Sequence, residues 1–334
     1  GQPNTPAIYS EGFNVVLSLI AEQGDDAPGS VKSLGGIGQF TDLSPPVIND
    51  AGHVAFFGST NTGTGLGAMG SGGIWATSPA GTLRDVALQG QAAPGTSTTF
   101  SQLFGPLPVI NASGDIAFSS TLVGNINGGL RDGIWVERDG VIEKVVFESE
   151  TAPGTPNTFE EIQPVALIDA AGRASFLGML DDLRDGLWRE TSAGVLQQVA
   201  IEGQAAPGTS LNIEQTSGYA MNGSGQVAFR AGLSDFSTDG IFATDVFGAL
   251  HKMVAIGDTL DLDGDPLLIE SVEFLGSSGL ADAHGLASGL NNAGQVAFLA
   301  SGENQNTFEM VRGICEMNRL APIGWPRALN PPCA

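Results

Sequence analysis

Short apolar runs recur along the chain in near-identical form: "VAFFGS" from Val54, "IAFSST" from Ile116, "ASFLGM" from Ala174, "VAFRAG" from Val227 and "VAFLAS" from Val296. Turn-forming Gly, Asn, Asp and Pro bound each run, which predicts strands. Successive strand side chains point to opposite faces, so Val54 and Phe56 share one face and Ala55 takes the other. Neither face of these runs opens with a charge, so both are expected to be covered. A run centred on "GIW" or its equivalent follows each of the first four. A fourth run comes next: "LRDVAL", "IEKVVF", "LQQVAI" or "LHKMVAI". No long segment has helical periodicity, so helix is expected to be minor.

A turn motif precedes each of the five runs: Asn/Asp-x-x-Gly-x-Val/Ile/Ala-Ala/Ser-Phe. Its fixed positions are Asn49, Gly52 and Phe56; Asn111, Gly114 and Phe118; Asp169, Gly172 and Phe176; Asn222, Gly225 and Phe229; and Asn291, Gly294 and Phe298. The copies are spaced by 62, 58, 53 and 69 residues. Asn caps such a turn through its side chain, and Gly tolerates the positive φ it needs. Trp75, Trp135 and Trp188, with Phe242 in the fourth copy, mark the third strand and are expected to pack between sheets. An Ala-Pro-Gly motif, at 93–95, 152–154 and 206–208, then carries the chain to the next unit. Four antiparallel strands per unit predict an all-β, five-bladed β-propeller over residues 1–305.

The ends do not balance. Residues 7–29 align without a gap on the third and fourth strands of a unit, with Tyr9 at the Trp75 position. They are expected to complete the last blade or to be donated to a neighbour. Yet "NTFEMVRGICEM", from Asn306, occupies the third-strand place of that same blade. One strand is surplus, and an unpaired strand invites a partner, so a homo-oligomer or a fibre of this chain is expected. Residues 306–334 are read as this extra strand plus a Pro-rich tail.

Composition narrows the partners. A formal net charge of −23 with 13 basic residues argues against nucleic acid and anionic membranes. No apolar run is long enough for a membrane-spanning helix. The two cysteines, Cys315 and Cys333, both lie near the C-terminus and predict one disulfide in an oxidising compartment; two free thiols are the competing reading.

The repeat resembles the NxxGxxAF tandem-repeat family of secreted bacterial proteins with interchangeable C-terminal anchors. The resemblance covers roughly residues 7–300 and implies an exported, surface-associated, non-enzymatic protein. The third copy departs from it, with Asp169 for Asn and Ser175 for Ala.

Candidate chemistry is sparse. Of the three histidines, His53 falls at a variable turn position expected to be exposed, His251 opens a fourth strand, and His284 lies in a non-repeated loop. No Gly-x-Ser-x-Gly, His-Glu-x-x-His or phosphate loop occurs. Asp181, Asp182, Asp185, Asp235 and Asp239 are weighed as a glycosidase pair, but Asp132, Asp185 and Asp239 recur before the third strand and read as turn residues. Asp258, Asp261, Asp263 and Asp265 alternate in "DTLDLDGDP", where carboxylates can converge on Ca²⁺; an Asp-Gly hairpin is the competing reading. No other cofactor is implied. The expectation is a non-enzymatic extracellular structural or adhesive protein, with a ligand- or carbohydrate-binding propeller as the alternative.

Overall fold

The computed structural model describes residues 5–11, 17–32, 35–62, 71–103, 108–123, 131–262, 265–274 and 288–317. They are all-β, with no helix among them. A hairpin comes first: β1 (Ala7–Ser10) and β2 (Ser18–Glu22). The first sheet contains β3 (Asp26–Val31), β4 (Ile37–Leu43), β5 (Val47–Ile48), β6 (Val54–Thr60), β7 (Gly72–Thr77) and β8 (Leu83–Leu88). The second contains β9 (Thr99–Gln102), β10 (Val109–Ile110), β11 (Ile116–Val123), β12 (Arg131–Arg138) and β13 (Val141–Phe147). The third is the meander β14 (Phe159–Ile168), β15 (Ala174–Leu180), β16 (Asp185–Ser192) and β17 (Val195–Ile201). The fourth is the meander β18 (Ile213–Met221), β19 (Val227–Leu233), β20 (Asp239–Thr244) and β21 (Leu250–Ala255). The fifth runs β22 (Thr259–Leu262), β23 (Asp265–Phe274), β24 (Val296–Asn304) and β25 (Met310–Met317).

The register repeats from sheet to sheet. Phe56 pairs Trp75, Phe118 pairs Trp135, Phe176 pairs Trp188, Phe229 pairs Phe242 and Phe298 pairs Cys315. All five phenylalanines are at most 4% exposed, and the three tryptophans are fully buried. A third aromatic from the first strand completes the cluster: Phe40, Phe100 or Phe159. Its ring meets the indole edge-on at 4.9, 5.1 and 4.9 Å, while the paired Phe stacks on the indole at 6.3, 6.3 and 6.2 Å. Such pairs contribute about 0.5–1.5 kcal/mol beyond the area they bury. The glycine two residues before each tryptophan makes room for the ring: a Cβ on Gly73, Gly133 or Gly186 would fall 2.5–2.6 Å from a side-chain atom.

The chain divides into two compact units. The first comprises Gly1–Glu150 with the segments Ile162–Ile168 and Ala283–Gly285. The second comprises Thr151–Glu161, Asp169–Asp282 and Leu286–Ala334. In the first unit, Ile8 and Ala21 of the hairpin pack on the aromatic face of the first sheet, around Phe40, Phe56 and Trp75. The opposite face of that sheet, with Ala55, Ile74, Ala76 and Ala87, packs on Phe100, Phe118 and Trp135 of the second. In the second unit, Ala228, Ile241 and Ala243 of the fourth sheet pack on Ile269, Val296, Phe298 and Cys315 of the fifth. A small-residue face therefore meets an aromatic or large-residue face each time.

β1 and β2 form a sheet of their own, and β25 lies at the edge of the fifth sheet beside β24. Met310–Met317 pairs with β24 along eight register positions.

Candidate functional site: an uncharged pocket on the first sheet

Most of the conserved-looking chemistry of the repeat is architectural. In each turn the first residue's Oδ1 accepts the backbone N–H of the fifth: His53 at 2.9 Å, Asp115 at 2.9 Å, Arg173 at 2.9 Å, Gln226 at 3.0 Å and Gln295 at 2.9 Å. The fifth side chain bonds back to the first. Asn111 Nδ2 donates to Asp115, Asn222 Nδ2 to Gln226 and Asn291 Nδ2 to Gln295, while Arg173 Nε donates to Asp169 at 2.6 Å. His53 takes part through Nδ1, 3.3 Å from Asn49 Nδ2. The expectation that His53 is exposed is therefore corrected: it is 8% exposed because this bond turns its ring inward. Gly52, Gly114, Gly172, Gly225 and Gly294 all have φ between 71° and 92°, as the turn requires.

The turns also join sheets. Asn49 Nδ2 donates to the carbonyl of Asn111 at 2.8 Å, and Asn222 Nδ2 to that of Asn291 at 2.9 Å. The Ala-Pro-Gly motif does the same for the tryptophans. Trp75, Trp135 and Trp188 donate from Nε1 to the carbonyls of Pro28, Pro94 and Pro153 at 2.9, 3.1 and 3.2 Å. The motif thus holds the next sheet's indole as well as turning the chain.

The candidate acidic residues divide between connections and strands. Asp181, Asp182, Asp235 and Asp258 lie between strands, whereas Asp132 lies in β12 and Asp185 and Asp239 open β16 and β20, each paired in the ladder, which corrects their reading as turn residues. Asp258 accepts Lys252 Nζ at 2.7 Å and the Ala255 N–H at 2.9 Å, at the position where Glu150 takes Lys144 and the Phe147 N–H. Asp261 lies in β22, opposite Pro266, and Asp265 accepts Asn306 Nδ2 at 2.7 Å. Asp263 lies outside the described residues, among which no group of three or more His, Cys, Asp or Glu could hold a metal ion. Asp181 accepts Asn157 and Thr158, Asp182 pairs Arg184, and Asp239 pairs Arg230. Burial raises the Asp185 carboxyl above its ordinary range, helped by Glu202 and Glu161. Asp235 is held at about 2 by the Thr238 hydroxyl and neighbouring N–H groups. Asp132 sits at the start of the second sheet's third strand. His251 pairs Asp245 at 3.0 Å; His284 and Cys333 lie outside the described residues, and Cys315 is buried in β25.

What the repeat does not explain is a cavity of about 290 Å³ at one corner of the first sheet. It is lined by the ends of β3, β6, β7 and β8, with Ser30, Thr60, Thr62, Ser71, Gln89 and Gln91 as its polar side chains and Trp75 and Leu88 behind them. Thr60 Oγ1 donates to the Ser71 carbonyl at 3.0 Å and lies 2.8 Å from Thr62 Oγ1. Gln89 and Gln91 are anchored through Oε1, which accepts the Gly72 and Leu88 N–H groups at 3.0 and 2.9 Å. Their Nε2 groups have no protein partner among the described residues and remain able to donate. Among the described residues no charged side chain lines the cavity, in a chain with 36 acidic residues. Sequence reasoning missed it because its residues come from four separated segments.

The model of a family matches residues 1–92 and 86–301. The chain belongs to DUF7453, a family of unknown function. No curated protein sequence matches it. Solved structures similar to this family member include the exo-beta-1,3-galactanase of Phanerochaete chrysosporium with galactose, at 10% identity and TM-score 0.29, covering 90% of this chain and 66% of that one. The exo-beta-1,3-galactanase of Clostridium thermocellum matches at 10% identity and TM-score 0.29, covering 88% and 63%. A beta-1,3-galactosidase with galactodeoxynojirimycin matches at 12% identity and TM-score 0.30, covering 92% and 99%. The chain thus spans about two thirds of the length of the galactanases. These neighbours are enzymes, so the expectation of a non-enzymatic chain is withdrawn; at these scores the likeness assigns no reaction to any residue here.

Proposed function

We propose that this chain is an extracellular binding protein built of five propeller-type blades, and that the pocket on its first sheet takes a neutral, polyhydroxylated ligand of the carbohydrate class. The single observation behind this reading is the chemistry of the pocket wall. Hydroxyl and amide side chains, with two uncommitted Nε2 groups, suit the mixed donors and acceptors of a sugar. The lack of a cationic or anionic wall disfavours phosphates, carboxylates and amines. A volume near 290 Å³ lies at the lower end of small-molecule sites and suits one sugar ring. An extracellular or cell-surface location is part of the proposal, supported by Cys315 and Cys333 as a candidate disulfide pair.

Isothermal titration with neutral mono- and disaccharides tests it. Saturable binding by at least one sugar is expected, and Thr62→Phe, which fills the mouth of the pocket, is expected to abolish it without changing the β-sheet circular dichroism spectrum. Binding that is unaffected by Thr62→Phe, or no binding by any neutral sugar, contradicts the proposal.

A further inference from the structure

The pocket exists because two side chains of the first sheet are shorter than their counterparts. Where the second strand of a sheet ends, a backbone N–H bonds across the hairpin: Thr60 to the Ser71 carbonyl, Leu180 to that of Arg184 and Leu233 to that of Thr238. Leu122 holds this place in the second sheet, as far beyond Phe118 as Thr60 is beyond Phe56. These three leucines are at most 1% exposed and fill the corner. In the fifth sheet Asn304 stands there and spends its Oδ1 on the N–H groups of Asn306 and Thr307. Ser30 is the second short residue. Thr96, Thr155 and Thr209 donate from Oγ1 to the carbonyls of Ala93, Ala152 and Ala206, and Ser30 makes the same bond to Ala27 without the γ-methyl. The aromatic floor is unchanged: Phe40 meets Trp75 at 4.9 Å and 78°, as Phe159 meets Trp188. The space is therefore lost side-chain volume, and a rearranged sheet is not its source.

The same residues fix which groups can donate. A hydroxyl has one proton to give and two lone pairs. Thr60 gives its proton to the Ser71 carbonyl at 3.0 Å. The 2.8 Å contact between Thr60 and Thr62 is therefore donated by Thr62. Ser30 gives its proton to the Ala27 carbonyl at 2.7 Å. With these bonds made, the three hydroxyls have no proton left for a ligand and act toward it as acceptors. Gln89 and Gln91 are the reverse: each Oε1 is committed to a backbone N–H, and each Nε2 can only donate. Ser71, whose hydroxyl has no partner among the described residues, can do either.

We propose that Thr60 sets the specificity of this pocket. Its shortness admits the ligand, and its bond to Ser71 leaves Thr60 and Thr62 as acceptors, so the ligand must bring a free hydroxyl proton to them and an oxygen to Gln89 or Gln91. This rests on the reading of the pocket as a neutral-sugar site and narrows it. A sugar ring meets both demands at once, since each of its hydroxyls donates and accepts. A ligand that offers oxygen acceptors alone satisfies the glutamines but leaves the threonine oxygens desolvated and unpaired.

Isothermal titration with D-glucose, D-galactose and D-mannose, and with the monodeoxyfluoro analogues of each sugar that binds, tests this. Fluorine replaces one hydroxyl at similar size and cannot donate. For the wild type, fluorination of at least one position is expected to weaken binding about tenfold. Thr60→Val keeps the volume but releases the Thr62 proton, so that penalty is expected to shrink. Thr60→Leu copies the second, third and fourth sheets; it is expected to abolish binding while the thermal midpoint stays at or above that of the parent. A wild type indifferent to every fluorine overturns the proposal. So does a Thr60→Val penalty equal to the wild type's, or a Thr60→Leu variant that binds like the wild type or melts several degrees lower. Binding lost in Thr62→Phe but kept in Thr60→Leu overturns this proposal and leaves the sugar site standing, whereas no binding by any neutral sugar removes both.

Discussion

At the first turn position, one side chain closes its own turn and, at Asn49 and Asn222, holds the next sheet. The third copy shows that the pair, rather than the asparagine, is what the turn needs. Elsewhere an Nδ2 donates to Asp115, Gln226 or Gln295; at Asp169 the donor is Arg173 and the acceptor is the carboxylate. Asp169→Asn is therefore expected to destabilise by about 1–2 kcal/mol, because Arg173 loses a charge-assisted partner. Asp169→Asn with Arg173→Gln recreates the pairing of the fourth and fifth copies, and urea unfolding is expected to recover most of the loss. Two carboxylates give opposite pH signatures. Asp235, held at about 2, contributes stability at neutral pH that is lost as pH falls through its folded value; by NMR titration Thr238→Val is expected to raise that value. Asp185 has a raised folded value, so its contribution is complete at low pH and is lost as pH rises through that value. Asp185→Asn is accordingly expected to raise the thermal midpoint at pH 7 and leave it unchanged at pH 3. The Asn and Gly roles were legible in the sequence because five copies agree on them. The role of the fifth position was not, because His53, Asp115, Arg173, Gln226 and Gln295 share no residue type and reveal their kinship through the bond they make.

An element of this protein is a sheet with its clasp. The tryptophan crosses to the preceding proline carbonyl, and the sheet beneath it supplies two phenylalanines. Trp188→Phe keeps the ring stack but removes the Nε1–H bond to Pro153. Its expected cost is about 1–2 kcal/mol, mostly a buried carbonyl left without its donor, read as a shift in the urea midpoint at constant m-value. Position within the array decides the outcome of a charge. Ile241→Asp is expected to unfold the chain, while Ile314→Asp stays within about 0.5 kcal/mol of the parent, although both residues hold the same register. The strands themselves were readable from alternation and from the recurring "GIW" and "VAF" runs. The first-strand aromatics Phe40, Phe100 and Phe159 were not singled out, because the residues around them, "GQFTDL", "TTFSQL" and "NTFEEI", share little else. Residues 7–29 and the run from Asn306 both read as a third strand, and alternation alone does not rank them; ladder pairing places β25 beside β24 and the N-terminal strands in a hairpin of their own.

For the whole molecule, the acidic excess works against compactness, and screening relieves it. Raising NaCl from 10 mM to 0.5 M is expected to raise the thermal midpoint, since the screening length falls from about 30 Å to a few ångströms over that range. The account rests on one repeated arrangement: a buried aromatic cluster whose indole is tied to the preceding Ala-Pro-Gly motif. Hydrogen exchange at the indole Nε1–H groups, read by NMR on ¹⁵N-tryptophan protein with single Trp→Phe variants for assignment, tests it most directly. The account predicts that Trp75, Trp135 and Trp188 are strongly protected and to a similar degree, as expected of buried donors bonded to proline carbonyls at 2.9–3.2 Å. Exchange of any of the three at the rate of a free indole would contradict it.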